Sequence, residues 1–588
     1  MENITRVFDL LNYNLTNFPK DEFISGKVKG KWIKYSTQNF CTTTDNLSRG
    51  LIDLGFRKGS RIAVMSPNRP EWNITDYAIN QIGAYQVPLY PTLSEHDVKF
   101  ILENAEVSLV FVNDEALYQK INTVNSQLAK PVLIYSFEEI SGVAHWQEIV
   151  EKGNQSAIDL KPYQDAIKPE DILTLIYTSG TTGTPKGVML THANLVSNFK
   201  NSAVLLPDNI HKSLSFLPLS HIFERMISYL YAFGNVSVYY AESMETIVAD
   251  IQEVKPNAFS TVPRLLEKVY DKIMEKGKEL KGLKKGIFFW SIGLAEQYDF
   301  NKNWWYNFKL GIARKLVFKK WQEALGGNIV VMVSGGAALN PRLARVFWAA
   351  GMPVFEGYGL TETSPVITVN HFGFTCFGSV GPVINGVEVK IAEDGEILTR
   401  GENLMLGYYG RQDLTDECID AEGWFHTGDI GELVEGKFLK ITDRKKEMFK
   451  TAGGKYIAPQ TLENKYKESP FIEQIMVLGE NRKFPAALVV PTFTTLENWC
   501  IHKEIPITSR EELIKHPKVI EKFDQIIANL GSEFGKWEQV KRFALIPQEF
   551  SIEGGELTPK LSLKRKVILE KNKQIIEKIY IDAEQHKS

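Results

Sequence analysis

Between Arg61 and Val112 the chain switches repeatedly between two hydrophobic periods. RIAVMS reads as a strand, the stretch after NRPEW as a helix, VPLYPT as a strand, the stretch from Ser94 as a helix, and VSLVFV as a third strand. Short apolar runs alternating with helical stretches at this spacing predict parallel strands joined by crossover helices, a doubly wound α/β sheet. Ser94 followed by Asp97 resembles a capping box and sets the start of the second helix. The alternation returns at ILTLIYTSG (Ile172 to Gly180) and NIVVMVSGG (Asn328 to Gly336). After the latter, Asn340 is placed to cap a helix with Pro341 at its first position, Gly351 to end it, and PVFEG to open another strand.

The pattern changes after Lys437. FLKITDRKKEMFKTAGGKY is basic and punctuated by glycine, and beyond it IEQIMVLGE and AALVVPTF alternate with charged helical stretches. A chain of 588 residues is too long for one core. The expectation is a large α/β N-terminal region with doubly wound sheets, residues 1–445, and a small mobile α+β C-terminal domain, residues 446–588, with a boundary near Lys446. The charge is nearly balanced, 68 basic against 71 acidic residues, so no global field argues for a nucleic acid partner. Cys41, Cys376, Cys418 and Cys500 form neither a CxxC pair nor a disulfide framework, which fits a reducing compartment. The first residues lack signal-peptide features, and no run of about eighteen apolar residues occurs. A cytoplasmic protein is expected.

The strongest chemical signal is the string from Tyr177 to Gly187. Thr178, Ser179, Gly180, Thr181, Thr182 and Gly183 precede Lys186 behind an apolar strand. Glycines let backbone N–H groups face an anion, hydroxyls add donors and the lysine adds charge, which together suit a polyphosphate. A Ser/Thr/Gly surface loop would read alike. The spacing is not that of a Walker loop, because no Ser or Thr follows the lysine. Tyr358 lies between Gly357 and Gly359, which leaves its ring face uncrowded for stacking. Glu362 offers a hard carboxylate nearby, able with Thr181 to hold Mg²⁺, or equally to cap a helix. Asp429, in HTGD, suits either an Asx turn or two ribose hydroxyls. His221, in PLSHIFER, sits among apolar residues, as core histidines do.

Taken in order, these strings resemble the adenylate-forming, AMP-binding enzyme superfamily over residues 68–566. SGGAALN, with Gly335, Gly336 and Ala337, resembles its adenine-binding turn, and GYGLTETSP its adenine-stacking and Mg²⁺ segment. The resemblance assigns Glu356, Gly357, Tyr358, Gly359 and Thr361 to the nucleotide, Asp429 to the ribose and Arg444 to a second ribose or phosphate contact. It also makes Lys446 an interdomain hinge and sets Gly453 and Gly454 beside a pantetheine tunnel. PLSHIFER and TVPRLLEKVY resemble the long-chain acyl-CoA synthetase branch, in which His221 positions the substrate carboxylate. The implied activity uses ATP, Mg²⁺ and coenzyme A to turn a long-chain fatty acid into an acyl-adenylate and then a thioester. Loading of an acyl carrier protein is the near alternative.

One position departs from the family. Where a stretch like LTPxxKxKR carries a lysine for the adenylation step, this chain has Ser562. Lys560 and Lys564 lie two residues away on the same side of an extended segment. Lys564 is favoured, because Lys560 follows Pro559 on a stiffer backbone. A nucleotide- or lipid-binding protein that has lost catalysis is the alternative this serine raises. A second departure is local charge. Residues 276–321 hold eleven basic residues against Glu279, Glu296 and Asp299, a net +8, interleaved with Phe288, Phe289, Trp290, Trp304, Trp305, Tyr306, Phe308 and Trp321. Such a segment suits an anionic membrane on its inner face, or a helical insertion that packs its aromatics inward.

Overall fold

The computed structural model describes residues 4–179, 185–507, 509–551, 554–557 and 563–585. The chain divides into two compact units. The larger comprises Met1–Lys390, Leu398–His426 and Val434–Leu439, the smaller Ile391–Ile397, Thr427–Leu433 and Lys440–Ser588.

Two sheets organise the larger unit. In the first, Arg61–Met65 lies between Tyr85–Leu89 and Leu109–Val112, all parallel, with Leu133–Ser136 parallel at one edge. Tyr85–Leu89 also pairs in parallel with Ile172–Ser179. The helices Pro70–Gln81 and Glu95–Asn104 make the crossovers, and Ser94 Oγ accepts the Asp97 N–H at 3.1 Å as its sequence position implies. Ile62, Val64, Val87 and Val110 are fully buried, as expected of strands covered on both faces.

The second sheet runs Val366–Val369, Val354–Gly359, Val331–Ser334, Ala258–Thr261, Lys212–Ser215, Ser237–Tyr240, Ile24–Val28, Lys31–Tyr35. Its interior pairings are parallel and its two edges antiparallel. Asn340 caps Pro341–Ala349 by accepting the Arg342 N–H at 2.9 Å, and Gly351 follows with φ +77°.

The first sheet also departs from a purely parallel pattern. Pro185–Thr191 runs back antiparallel along Ile172–Ser179, and Gly407–Tyr408 extends that edge. Only five residues separate Ser179 from Pro185, far fewer than the dozen or so a parallel crossover needs.

A four-stranded sheet runs Val387–Ile391, Glu396–Gly401, Phe425–Val434, Phe438–Arg444. In the smaller unit Ile472–Leu478, Ala486–Pro491 and Arg542–Leu545 form a sheet whose central strand, Ala486 to Val490, is fully buried. Arg565 is held there by Glu447 at 3.0 Å and Glu463 at 2.7 Å. Among the described residues no helix is long and apolar enough to cross a membrane.

Candidate active site

Gly180, Thr181, Thr182 and Gly183 lie outside the described residues, so the phosphate string is seen through its flanks. Thr178 and Lys186 are cross-strand partners. Gly187 packs closely on its neighbour, for a Cβ there would stand 3.0 Å from the Tyr177 ring. The Lys186 ammonium lies 5.1 Å from the centre of the Tyr408 ring, a cation–π distance. The Tyr408 hydroxyl donates to Glu362 Oε1 at 2.9 Å. Tyr408 therefore joins an ammonium and a carboxylate that are 176 positions apart in the chain. Burial, then the Glu362 charge, pushes its phenol far above the ordinary range, so it remains a donor. Burial and Glu362 also push the Cys418 thiol up to about 11, against the opposing pull of Lys186, which keeps it protonated.

Glu362 stands on the short turn Thr361–Thr363, after the strand Val354–Gly359, and its carbonyl accepts the Met405 N–H at 2.8 Å. Thr361 is buried beside it. Gly359 is imposed by packing, since a Cβ would lie 1.7 Å from the Pro365 carbonyl oxygen. Tyr358, half-buried, pairs with Thr368, and Gly357 with Val369. Glu356, on the same strand, accepts the Leu339 N–H at 2.9 Å and so fastens the turn that carries Gly335, Gly336 and Ala337. Gly336 has φ +81°, and burial pushes the Glu356 carboxyl up to about 8.

The string PLSHIFER divides into two jobs. His221 is half-buried and caps the helix Ile222–Phe233, its Nδ1 accepting the Phe223 N–H at 3.1 Å. The neutral ring therefore carries its proton on Nε2. Gly335 abuts the Phe223 ring, with its missing Cβ 3.4 Å away, so the histidine cap and the 335–337 turn are neighbours. Glu224 and Arg225 belong to the core instead. Glu224 accepts from Ser215 at 2.5 Å and from Ser260, and Arg225 pairs with Asp76 at 2.5 Å while donating to Thr174 at 2.8 Å. Breaking such a fully buried pair costs about 3–5 kcal/mol, a folding effect and not a chemical one.

In the smaller unit Asp429 is buried and Arg444 half-exposed, with Arg444 Nε 3.3 Å from Asp429 Oδ1. Thr427 Oγ1 accepts the Asp429 N–H at 3.1 Å, and Gly428 turns with φ +72°. Lys446 is exposed in the turn that follows Arg444. Gly453 and Gly454 sit in the hairpin between Phe449–Lys450 and Tyr456–Ile457. Gly454 has φ +75°, whereas a Cβ on Gly453 would meet nothing closer than Thr451 Oγ1 at 3.9 Å. Lys560 and Ser562 lie outside the described residues. Lys564 is exposed at the start of the helix Arg565–Lys571, and its N–H bonds the Glu556 carbonyl at 2.7 Å.

Among the described residues no three His, Cys, Asp or Glu side chains converge on a metal position. One carboxylate oriented by a tyrosine nonetheless fits Mg²⁺, which is held largely by phosphate oxygens and water.

The two units meet family models in the same order. Residues 11–409 match the AMP-binding enzyme model and residues 447–584 the model of the AMP-binding enzyme C-terminal domain. The chain belongs to the AMP-binding enzyme family. It is 33% identical over 566 residues to the long-chain-fatty-acid–CoA ligase FadD15 of Mycobacterium bovis, covering 94% of this chain and 93% of that one. It is 34% identical to the peroxisomal long chain acyl-CoA synthetase 6 of Arabidopsis thaliana, over 91% of this chain and 79% of that one. The adenylation domain of a carboxylate reductase from Mycobacterium chelonae shares the fold, with a TM-score of 0.77 at 21% identity over 98% of this AMP-binding enzyme and 91% of that chain.

Proposed function

We propose that this AMP-binding enzyme is a long-chain fatty acid–CoA ligase. The observation that carries the reading is the Lys186–Tyr408–Glu362 arrangement beside the phosphate string, a cation and an anion fixed for a metal-bound polyphosphate. Identity of 33% to a long-chain ligase across nearly the whole chain supports the substrate class.

A fatty acid is ionised at neutral pH, so the first step needs no base. A carboxylate oxygen attacks the α-phosphorus of ATP in line. The bond from that phosphorus to the oxygen bridging to the β-phosphate breaks, and pyrophosphate leaves with the electron pair. Lys186 and the donors of residues 178–183 offset the phosphate charge, and Mg²⁺ held by Glu362 and Thr181 supplies further charge neutralisation when bound. Tyr358 with its flanking glycines stacks the adenine, and the 335–337 turn fastened by Glu356 borders it. Asp429 accepts the ribose hydroxyls, with Arg444 beside it. The His221 Nε2–H orients the fatty carboxylate. Lys564 supplies the cation that Ser562 lacks.

In the second step the coenzyme A sulfur attacks the acyl carbon, the thiol proton passes to solvent, and the acyl–oxygen bond breaks to release AMP. The C-terminal domain turns about Lys446 between the steps, and Gly453 and Gly454 give the pantetheine arm room. The substrate is membrane-soluble, and the same reading includes contact with the inner face of an anionic membrane through residues 276–321.

Assay of acyl-CoA formed from acids of increasing length, with coenzyme A or an acyl carrier protein as acceptor, tests the proposal. Transfer to the carrier alone would replace it with the loading function. ATP binding without pyrophosphate release would favour the noncatalytic reading that Ser562 raises.

A further inference from the structure

The crossover from Ala258–Thr261 to Val331–Ser334 holds several helices where one would suffice: Pro263–Glu279, Gly282–Glu296, Trp304–Ala313 and, beyond a π-helical stretch at Arg314–Phe318, Lys319–Ala324. One face of Trp304–Ala313 and its continuation is core, for Leu310, Ala313, Phe318 and Trp321 are buried. The opposite face is also apolar. Trp304 is 75% exposed, Trp305 49%, Phe308 55%, Ile312 39% and Leu316 48%. At 3.6 residues per turn, Trp304, Trp305, Phe308 and Ile312 fall within an arc of about 100°, facing away from Leu310 and Ala313. Isolated exposed apolar side chains are ordinary, but a contiguous set of large ones marks a docking surface. Among the described residues the exposed tryptophans are Trp290, Trp304, Trp305 and Trp537, and three of the four lie in this crossover.

The charge around this face selects its occupant. Among the described residues no Lys or Arg from 276 to 321 forms an ion pair, while Glu296, one of only three acids there, is paired outward with Arg342 at 3.3 Å. Arg314 is engaged with the Ala349 carbonyl at 2.8 Å, which leaves Lys302, Lys309, Lys315, Lys319 and Lys320 along the helical stretch. Lys309 Nζ lies 5.3 Å from the Trp305 ring centre, and Trp305 stacks on Phe308 at 5.6 Å, so its aliphatic stem runs beside the aromatic face. A second copy of this chain would bring +8 against +8. An anionic bilayer answers both features, since tryptophan favours the membrane interface and lysines reach its phosphates.

We propose that Trp304–Ala313, continued to Leu316, lies in the plane of an anionic lipid bilayer, with Trp304, Trp305, Phe308 and Ile312 below the headgroups and the lysines at them. The idea deepens the membrane contact in the proposed function and rests on that reading for its use.

Sedimentation of the full chain with vesicles of phosphatidylcholine, with and without phosphatidylglycerol, tests it, alongside acyl-CoA formation from a fatty acid in detergent micelles. Binding should require phosphatidylglycerol and weaken with salt. The pair Trp304→Ser and Phe308→Ser should lower vesicle partition about tenfold or more, and Lys315→Glu or Lys319→Glu at least about fivefold each, all with micellar activity unchanged. Failure to bind, binding indifferent to these variants, or a dimer that the Trp304 and Phe308 changes turn into a monomer would each overturn the docking surface. If the ligase reading alone fails, no acyl-CoA forms while vesicle binding still responds to the variants.

Discussion

In the larger unit the groups assigned to the nucleotide are held by other side chains. Lys186 stands over Tyr408, Tyr408 bonds Glu362, and Glu356 fastens Leu339. In the smaller unit Asp429 is buried beside Arg444, but the others stand open: Arg444 is half-exposed, Lys564 is exposed, and Gly453 has open space where a side chain would go. The first set is organised before substrate arrives, and preorganised charge is what stabilises a transition state. On the proposed reading the exposed members of the second set would gain partners from the substrate. Substitutions in the larger unit should therefore impair adenylation, whereas those in the smaller unit's glycine turn should separate the two chemical steps.

The largest effect is expected at the preorganised charges. Lys186→Ala and Glu362→Ala should each slow ATP–pyrophosphate exchange by about 100- to 1000-fold, and Glu362→Ala, which leaves the buried Tyr408 hydroxyl without its acceptor, should also lower the melting temperature. Next comes the exposed lysine. Lys564→Ala should lower exchange about 100-fold, while Lys560→Ala and Ser562→Lys leave it near the parent level. Equal exchange in the parent and both alanine variants would remove the substitute-lysine role. Tyr408→Phe deletes one hydrogen bond to a charged group, a loss of about 1.5–3 kcal/mol, and should raise the Mg²⁺ concentration needed for half-maximal exchange about tenfold.

Gly453→Ala sharpens the contrast most cleanly, because nothing within the unit requires glycine there. Thioester formation should fall about tenfold, while adenylate formation and stability stay the same. Slower adenylation in this variant would break the assignment of separate steps.

The smallest effect is on stability. The Glu356 carboxyl is raised to about 8 by burial, so the folded state binds the extra proton and stability is lost as pH rises from the ordinary carboxyl range through 8. Glu356→Gln retains an acceptor for Leu339 and removes the titration. Its melting temperature should fall less than the parent's between pH 5 and pH 9.

Local chemistry makes much of this legible in the sequence. The Ser94 and Asn340 caps, the Gly351 stop and the strands around them follow from residues a few positions apart. The antiparallel return of Pro185–Thr191 was less so, since an apolar run looks alike in either direction. Tyr408 carried no local sign: its importance rests on Glu362 and Lys186, distant in the chain and gathered by pairing of Gly407–Tyr408 with Val188 and Met189. In PLSHIFER the sequence points to the histidine, yet Arg225 and Glu224 owe their role to Asp76 and Ser260. Composition marked residues 276–321 as basic and aromatic, but only packing separates Phe288 and Trp321, turned inward, from Trp304 and Trp305, left outside.

The central claim is chain-length-dependent thioester formation by one adenylating site. The direct measurement is acyl-CoA produced with ATP, Mg²⁺ and coenzyme A from acids running from acetate to long-chain fatty acids. The account predicts pyrophosphate release and acyl-CoA formation that both favour the long-chain acids. Preference for acetate, or ATP binding with no pyrophosphate released from any acid, would contradict it.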